Sequence, residues 1–267
     1  GQTVYKKLIE ATPALEFYYF RDAESESASR PENAHSIPIL NRRSIRVLAP
    51  PPYPRFKLNS LIEADQIARS VAGESFDIVD IPDYYNFGSA LRDAFAHHHV
   101  NVGRIVLAMH GNISKSIELN WDSAGNDVLE QRMLERAQFE AADAIYAIST
   151  RYVREWQEVV NRSVHYIDPA HFVSAGIQPF SKIDVHKKPS IYCIGRSERL
   201  KGNDLFVELV RWIRQDSFDR AAHIGDADYS YKMISSAYLL ECIAKNRGLE
   251  IHSLPSLSWE ELSELYV

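Results

Sequence analysis

Arg196 and Lys201 flank a turn between an apolar run and a helix-like segment, in the stretch IYCIGRSERLKGNDL. The apolar run ends at Gly195, and Gly202 precedes the helix pattern. The N-terminus of a helix attracts negative charge through its free backbone N–H groups and its dipole. Arginine adds a planar bidentate donor and lysine a mobile point charge, which together suit a diphosphate better than a single carboxylate. We therefore predict a site for a nucleotide-linked substrate; the alternative is that the pair only stabilises the turn.

A second candidate site follows the apolar strand FDIVDI, where Asp83 and Tyr84 come next. A carboxylate just past a buried strand is expected to face a crevice, with a helix-cap or turn role as the alternative. The strand RIVLAM ends in His110-Gly111, before Asn112. Glycine there permits close backbone approach to a ligand, and histidine can donate to a sugar hydroxyl or a phosphate. A lone histidine after a strand is more often structural, so both roles stay open at this point.

Two later strand ends carry weaker signals. The segment AHIGD ends in Gly225-Asp226, which lines a nucleotide or forms an ordinary strand-to-turn junction. The segment HSLPSL contains Leu254, and its backbone is a candidate partner for a nucleobase, because loops on a rigid scaffold carry function. The run His97–His99 lies at a predicted helix end, where consecutive side chains point to different faces. We therefore predict partners of the helix C-terminus there, and no metal site.

Short apolar strands alternate with amphipathic helices, which indicates an α/β fold with parallel sheets covered on both faces. The predicted strands are Leu15–Phe20, Ile45–Leu48, Phe76–Ile81, Arg104–Met109, Ala144–Ile148, Val164–Ile167, Ser190–Ile194, Ala221–Ile224 and Leu249–His252. The predicted helices are Gln2–Glu10, Asn59–Val71, Ser89–His98, Asp127–Ala142, Arg151–Val160, Asp204–Gln215, Lys232–Arg247 and Trp259–Tyr266. Residues 21–37 and 112–126 are interpreted as loops because their composition is polar or mixed.

The segment Gly176–Pro189 contains two prolines and a lysine-rich end, which is typical of a domain linker. We predict two doubly wound Rossmann-like domains, residues 1–183 and 184–267, facing a crevice at the carboxyl ends of their strands. The first recognisable element is a helix, and the second domain holds only three strands. We therefore expect the first strand and part of the second domain to be missing.

Composition limits the classes of function. With 267 residues, 45% of them hydrophobic, and a net charge of −6, the chain supports a substantial core but not nucleic-acid binding through a basic surface. No apolar run approaches the ~20 residues that span a bilayer, and the first residues lack the apolar region of a signal peptide. Cys193 and Cys242 lack metal-site spacing and are predicted to be buried reduced thiols, which fits a cytoplasmic location.

Taken in order, these motifs resemble the family-4 glycosyltransferases of the GT-B fold over nearly the whole chain. The most specific single element, IGRSERLKGNDLFVELV, resembles the family's donor-site strand and helix. The segments DIVDIPDY, LAMHG, LERAQFEAADAIYAIST, HFVSAGIQPF and AAHIGDADYSY resemble further family motifs in the same order. Gly1 resembles the last glycine of the loop after the family's first strand, and Ala175 stands where the family usually has asparagine.

The resemblance implies a retaining, metal-independent transferase that moves a sugar from a nucleotide diphosphate donor, UDP- or GDP-linked, to a hydroxyl of a carbohydrate or glycolipid acceptor. It implies catalytic roles for His110, Arg196 and Lys201. The donor-binding residues that it implies are Gly1, Gly195, Arg196, Lys201, Gly225, Asp226 and Leu254. The acceptor-side residues that it implies are Asp83, Tyr84 and Asn112. It implies no cofactor, and it leaves open a peripheral contact with the inner membrane face.

Three other functions stay open on the sequence. The family's paired-glutamate motif, which holds the donor sugar and ribose, does not occur before Val267, and its absence would suit a non-catalytic GT-B-like binding module. A sugar-nucleotide epimerase shares the two-domain crevice and the diphosphate site. A nicotinamide-dependent dehydrogenase would need G-x-G-x-x-G after its first strand, and no such triplet occurs in the sequence.

Overall fold

The computed structural model describes residues 9–22, 32–39, 55–121, 126–168, 188–196, 199–225, 249–258, 261, 262 and 265. In these residues the protein is α/β, and all neighbouring strands pair in parallel, which confirms the predicted fold class at that level. The chain divides into two compact units, Gly1–Lys115 with Ser123–Ile177 and Ser116–Asp122 with Gln178–Val267. The predicted domain boundary at residues 183 and 184 lies outside the described residues.

The described elements before residue 170 alternate between strands and helices. The strands are β1 (Phe17–Asp22), β2 (Ala34–Ile39), β3 (Ser75–Pro82), β4 (Asn101–Met109), β5 (Ala144–Ala147) and β6 (His165–Tyr166). The helices are α1 (Arg55–Ser70), α2 (Gly88–His97), α3 (Ile113–Trp121), α4 (Asn126–Ala141) and α5 (Thr150–Val160), and a 3-10 turn, Asp83–Tyr85, follows β3. β1 pairs with β2, while β3, β4, β5 and β6 form one sheet in chain order.

The core of the first unit lies between the four-stranded sheet and its helices. Ile81 pairs with Leu107 and Leu107 with Ile145, so one apolar row crosses three strands. α1 buries Ala64, Ile67 and Ala68 on one helical face, and Val71, directly after its end, continues the same apolar spacing. Phe139 of α4 stacks on Trp156 of α5 with ring centroids 4.1 Å apart, a contact worth about 0.5–1.5 kcal/mol beyond burial. This packing holds the carboxyl ends of β3 and β4 in place.

The second unit contains β7 (Ser190–Ile194), β8 (Arg220–Ile224) and β9 (His252–Leu254), which lie in that order in one parallel sheet. α6 (Asn203–Trp212) directly follows a 3-10 turn at Arg199–Lys201. Its buried face has the spacing of one helical side and consists of Asn203, Phe206, Val207 and Val210. Phe206 and Val210 pack with Ala221 of β8. The described part of the chain thus places a helix start beside the end of β7.

The loop predicted at residues 21–37 is partly wrong, because β2 begins at Ala34. The Asn33 side chain donates to the backbone oxygens of Ile9, Thr12 and Leu15, and the Asn33 carbonyl accepts from the N–H of Phe17. These tertiary hydrogen bonds hold the segment AHSIPI beside β1. A strand set by such contacts need not show an alternating apolar pattern of its own.

The loop predicted at residues 112–126 is also wrong, since α3 occupies Ile113–Trp121. Several boundaries differ by a few residues as well: β1 is Phe17–Asp22, α1 begins at Arg55, β4 begins at Asn101, α6 ends at Trp212, β6 covers only His165–Tyr166, and β9 is His252–Leu254. The predicted strand 45–48 and helix 232–247 lie outside the described residues. Within the described residues, every helix is too short or too polar to cross a membrane.

Candidate functional site

Two glycines end neighbouring strands of the second unit. Gly195 follows β7 with φ +148°, and Gly225 follows β8 with φ +153°. The N–H of Gly195 donates to the Ile224 carbonyl at 2.9 Å, and the N–H of Gly225 donates to the Leu254 carbonyl at 3.2 Å. A Cβ atom on Gly225 would lie only 2.0 Å from the Gly195 oxygen. Glycine is therefore required at position 225, where the ends of β7 and β8 lie in close contact.

An open depression of about 210 Å³ lies at the carboxyl ends of these strands. It is lined by Ile194, Gly195, Arg196, Ile224, Gly225, Ser256, Leu257 and Leu262. The aliphatic part of the Lys201 side chain lies 3.7 Å from the position of a Cβ on Gly195. Ligands of open α/β sheets bind at this end of the strands. Arg196 thus lines the depression, and the stem of Lys201 lies beside the neighbouring Gly195.

Asn203, the first residue of α6, braces the turn between the two basic residues. Its side chain is fully buried, and its Nδ2 donates to the Arg196 carbonyl at 3.4 Å. The Cys193 Sγ donates to its Oδ1 at 3.5 Å. Burial raises the pKa of the Cys193 thiol, so the half-buried cysteine is a neutral donor here. No periodic pattern in the sequence predicts the burial of Asn203, because a polar residue at a helix start normally faces solvent.

His223 of β8 is a second buried polar residue of this unit. Neither ring nitrogen has a hydrogen-bond partner among the described residues, and the side chain has no exposed surface. Burial lowers the pKa of the imidazole, and the nearby Gly195 backbone acts in the opposite direction. In register His223 lies beside Cys193. A neutral imidazole therefore occupies the strand next to the glycine turn.

Asp83 lies just past β3 in the first unit and is 1% exposed, so its carboxylate is buried, and its predicted role toward the acceptor stays a prediction. Oδ1 accepts from the N–H of His110 at 3.1 Å, and Oδ2 accepts from the N–H of Gly111 at 3.1 Å. Burial raises the pKa of the Asp83 carboxyl to about 6, while these backbone donors lower it in part. The geometry is that of the alternative reading, a carboxylate that holds a turn.

The His110 side chain is half-buried beside Tyr84, with ring centroids 6.2 Å apart. Burial lowers the pKa of the His110 imidazole, so the ring is neutral near pH 7 and can both donate and accept. Tyr84 is 39% exposed, which leaves an aromatic face accessible next to the imidazole. These two side chains are the accessible part of the cluster, and a neutral imidazole suits a hydroxyl-bearing ligand.

Glu135 of α4 holds the start of α3. Its Oε1 accepts from the N–H of Ser114 at 2.9 Å, and its Oε2 accepts from the Ser114 hydroxyl at 2.6 Å. Asn112 does not cap the helix, because its Oδ1 accepts from the Trp156 indole N–H at 3.2 Å. Burial raises the pKa of the Glu135 carboxyl, and the Asp83 charge adds to this effect. Asn112 is 7% exposed, and its predicted acceptor-side role stays a prediction.

Polar side chains under this loop form a network that the sequence did not predict. Gln138 donates to the Asp83 carbonyl at 2.6 Å and to Asn86, which in turn donates to Gln131. Gln131, Glu135 and Gln138 lie on one face of α4 and are almost fully buried. Their spacing of four and three residues indicates that they share one face of the helix. It does not indicate that this face is buried, because polar helical faces normally point to solvent.

The remaining predicted residues have mixed outcomes. Leu254 contributes its carbonyl to the Gly225 N–H and is absent from the lining of the depression. Gly1 and Asp226 lie outside the described residues. His98 of the histidine run pairs with Asp65 at 2.8 Å.

Across the described ranges, no group of three or more His, Cys, Asp or Glu side chains is placed to hold a metal ion. Comparison with models of known protein families and with curated proteins finds no match for this chain.

Proposed function

We propose that this protein is a GT-B glycosyltransferase that moves a sugar from a nucleoside diphosphate donor to an acceptor hydroxyl, with retention of configuration and without a metal. The observation that carries the proposal is the end of β7, where Gly195 and Arg196 line the depression and the Lys201 stem lies beside Gly195. A local pair of cations on a chain with a net charge of −6 is matched to an anionic ligand. The preceding parallel strand and following helix support a diphosphate in particular.

The chemistry assigned to these residues is electrostatic. Arg196 and Lys201 would neutralise the charge that develops on the leaving diphosphate, the task that a metal ion performs in other transferases. In the first unit, the neutral His110 imidazole would hydrogen-bond a sugar hydroxyl, with the exposed Tyr84 ring beside it. Each unit thus supports recognition of one chemical part of the substrates, phosphate in the second and hydroxyl groups in the first.

A thermal-shift panel with UDP, GDP, ADP and NAD tests the proposal on the whole chain. A ligand at about a hundred times its Kd stabilises a protein by ~2.7 kcal/mol. We expect one nucleoside diphosphate to raise the melting temperature of the wild-type protein and to have no such effect on an Arg196→Ala/Lys201→Ala double variant.

Arg211→Ala is the matched control, because Arg211 lies in the last turn of α6 and pairs with Glu208 at 3.6 Å. This variant removes a positive charge from the same unit and should keep the ligand shift. An equal shift in the double variant, or no shift with any nucleotide, would overturn the proposal. Incubation of the identified donor with and without acceptors then separates a transferase from an epimerase, since an epimerase changes the donor alone.

A further inference from the structure

Residues 110–114 follow β4 and end in the first turn of α3; this segment, called the loop below, is contacted by oxygen atoms from three other elements. The N–H groups of His110 and Gly111 donate to the Asp83 carboxylate. The Tyr152 hydroxyl of α5 lies beside Gly111 and next to the Asn112 backbone. The N–H of Ser114 donates to the Glu135 carboxylate of α4 at 2.9 Å. Three backbone donors, those of His110, Gly111 and Ser114, are thereby bound by carboxylates of the protein itself.

The two carboxylates are unusual partners for this task. Each side chain is 1% exposed, and burial disfavours the ionised form of both. A neutral asparagine or glutamine could accept hydrogen bonds at such positions without the cost of a buried charge. Charged acceptors are, however, the stronger ones and bind two donors at once, so they hold a backbone more tightly. Buried charges retained at such a cost concentrate at functional sites.

Gly111 lets the Tyr152 hydroxyl approach the same loop. A Cβ atom on this glycine would lie 3.3 Å from the hydroxyl oxygen, closer than an ordinary contact. The loop is therefore enclosed by Asp83 on one side and by Tyr152 and Glu135 on the other. His110 is the first residue of the loop, and its ring lies beside that of Tyr84.

We propose that Asp83 and Glu135 are positioning residues, which fix the backbone of loop 110–114 and thereby orient the His110 imidazole for contact with the substrate. The Asp83 carboxylate accepts hydrogen bonds from the N–H groups of both His110 and Gly111. Because these bonds fix the backbone of His110, they also limit the directions that its imidazole can take. The part of the inference that concerns substrate rests on the proposed function. The fixing of the backbone by Asp83 and Glu135 does not depend on the proposed function.

Histidine ring NMR on the full chain tests the inference without an activity assay. The His110 resonances are assigned by their loss in His110→Gln and are followed through a pH titration in each variant. We expect Asp83→Asn and Glu135→Gln to shift these resonances, because a released backbone changes the position of the ring relative to Tyr84. Ser114→Ala removes one bond to Glu135 and should produce the same change to a smaller degree.

Asp143→Asn is the matched control. The Asp143 carboxylate also accepts a backbone N–H of β4, from Ile105 at 2.7 Å, but it lies before β5 and away from the loop. This variant should leave the His110 titration unchanged. If folded Asp83→Asn, Glu135→Gln and Ser114→Ala proteins all keep the wild-type His110 signals, the inference is overturned.

An activity arm distinguishes this inference from the proposed function. If the wild-type protein transfers sugar, Asp83→Asn should lower kcat about 100-fold, as expected for a misplaced reacting group, with the KM for the donor nearly unchanged. Wild-type protein that binds no nucleotide and transfers no sugar would overturn the proposed function, while the NMR result would still decide the positioning role. An unchanged kcat together with unchanged NMR signals would overturn the inference alone.

Discussion

At the scale of single residues, Asp83 ionises in surroundings that disfavour a charge. Burial raises the pKa of its carboxyl from 3.8 to about 6, against the effect of the two backbone donors that it holds. The folded protein therefore retains this proton more tightly than the unfolded chain does. The stability contributed by this group is fully present below pH 3.8 and is lost as the pH rises through about 6.

Replacement of Asp83 by asparagine should remove this dependence on pH. One pKa unit corresponds to ~1.36 kcal/mol, so the difference in free energy of unfolding between wild type and Asp83→Asn should change by about 2–3 kcal/mol between about pH 4 and about pH 7.5. The wild-type protein loses stability relative to the variant as the pH rises. Urea denaturation at a series of pH values measures the free energy of unfolding of both proteins. The contributions of the other titrating groups largely cancel when one value is subtracted from the other.

Asp143 provides a control of opposite sign. The N–H of Ile105 and the guanidinium of Arg92 both lower the pKa of its carboxyl. Its contribution to stability is present above pH 3.8 and is lost on acidification. Asp143→Asn should therefore lose stability relative to wild type as the pH rises. A flat difference curve for Asp83→Asn, or one with the sign of the Asp143 curve, would contradict the prediction.

Most site residues predicted from the sequence follow a strand directly. Asp83 and His110 were predictable because parallel strands bring their carboxyl ends to one edge of a sheet. Their burial was not predictable, since it depends on how α4 lies across that edge. Glu135 and Gln138 were missed for the same reason, because a pattern based on apolar periodicity assigns polar helical residues to solvent. Their contacts arise from tertiary packing and have no local signature.

At the scale of elements, the end of β8 depends on glycine. Gly225 has a φ of +153°, and a Cβ there would lie 2.0 Å from the Gly195 oxygen and 2.6 Å from the Gly195 carbonyl carbon. Both neighbours are backbone atoms, so relief requires that the strand ends move apart. The hydrogen bond from the Gly195 N–H to Ile224 would be strained by such a movement.

Gly225→Ala should therefore destabilise the second unit by about 3–5 kcal/mol, since it combines an unfavourable φ with overpacking. Gly202→Ala is the control within the same unit. Its φ of +72° is also unfavourable, but the nearest atoms to an added Cβ are 3.7 Å away and belong to a flexible leucine. We expect it to cost about 1–2 kcal/mol.

Pulse proteolysis across a urea series measures the stability of the second unit in both variants, when cleavage is mapped to residues 178–267. Equal losses in Gly225→Ala and Gly202→Ala would show that backbone conformation alone sets the cost. Such a result would contradict the close approach of the two strand ends.

Element prediction succeeded where apolar segments were long enough to show a period. The described strands β3, β4, β7 and β8 coincide with predicted ones, as do helices α1, α2, α4 and α5 to within a few residues. β2 and α3 were missed because partners distant in sequence stabilise them. Asn33 tethers β2, and Glu135 from another helix satisfies the first turn of α3.

At the scale of the whole molecule, the two units differ in the kind of buried group that titrates. The first unit buries Asp83 and Glu135, whose raised pKa values favour folding at low pH. His110 in the same unit acts in the opposite direction, because burial lowers its pKa. The second unit buries His223, which has a lowered pKa and no partner among the described residues. Stability from such a histidine is present above its ordinary pKa of 6.5 and is lost as the pH falls.

Acidification from about pH 7.5 to about pH 5.5 should therefore weaken the second unit relative to the first, as the unfolded chain takes up a proton that buried His223 resists. Hydrogen exchange followed by mass spectrometry, corrected for the chemical rate, reports each unit through peptides from β3–β4 and from β7–β8. In His223→Leu the loss of protection in β7–β8 should disappear. This variant should also be at least as stable as wild type near neutral pH, because removal of an unsatisfied buried polar group relieves about 1–3 kcal/mol.

His252→Leu is the control, since this histidine lies on the neighbouring strand β9 with its side chain 49% exposed. It should leave the pH response of β7–β8 intact, because it replaces a half-exposed side chain and keeps the buried His223 in place. Retention of the full response in His223→Leu would mean that another group in the second unit governs it. An equal loss of protection in both units would mean that the buried carboxylates of the first unit do not offset the effect of acid there.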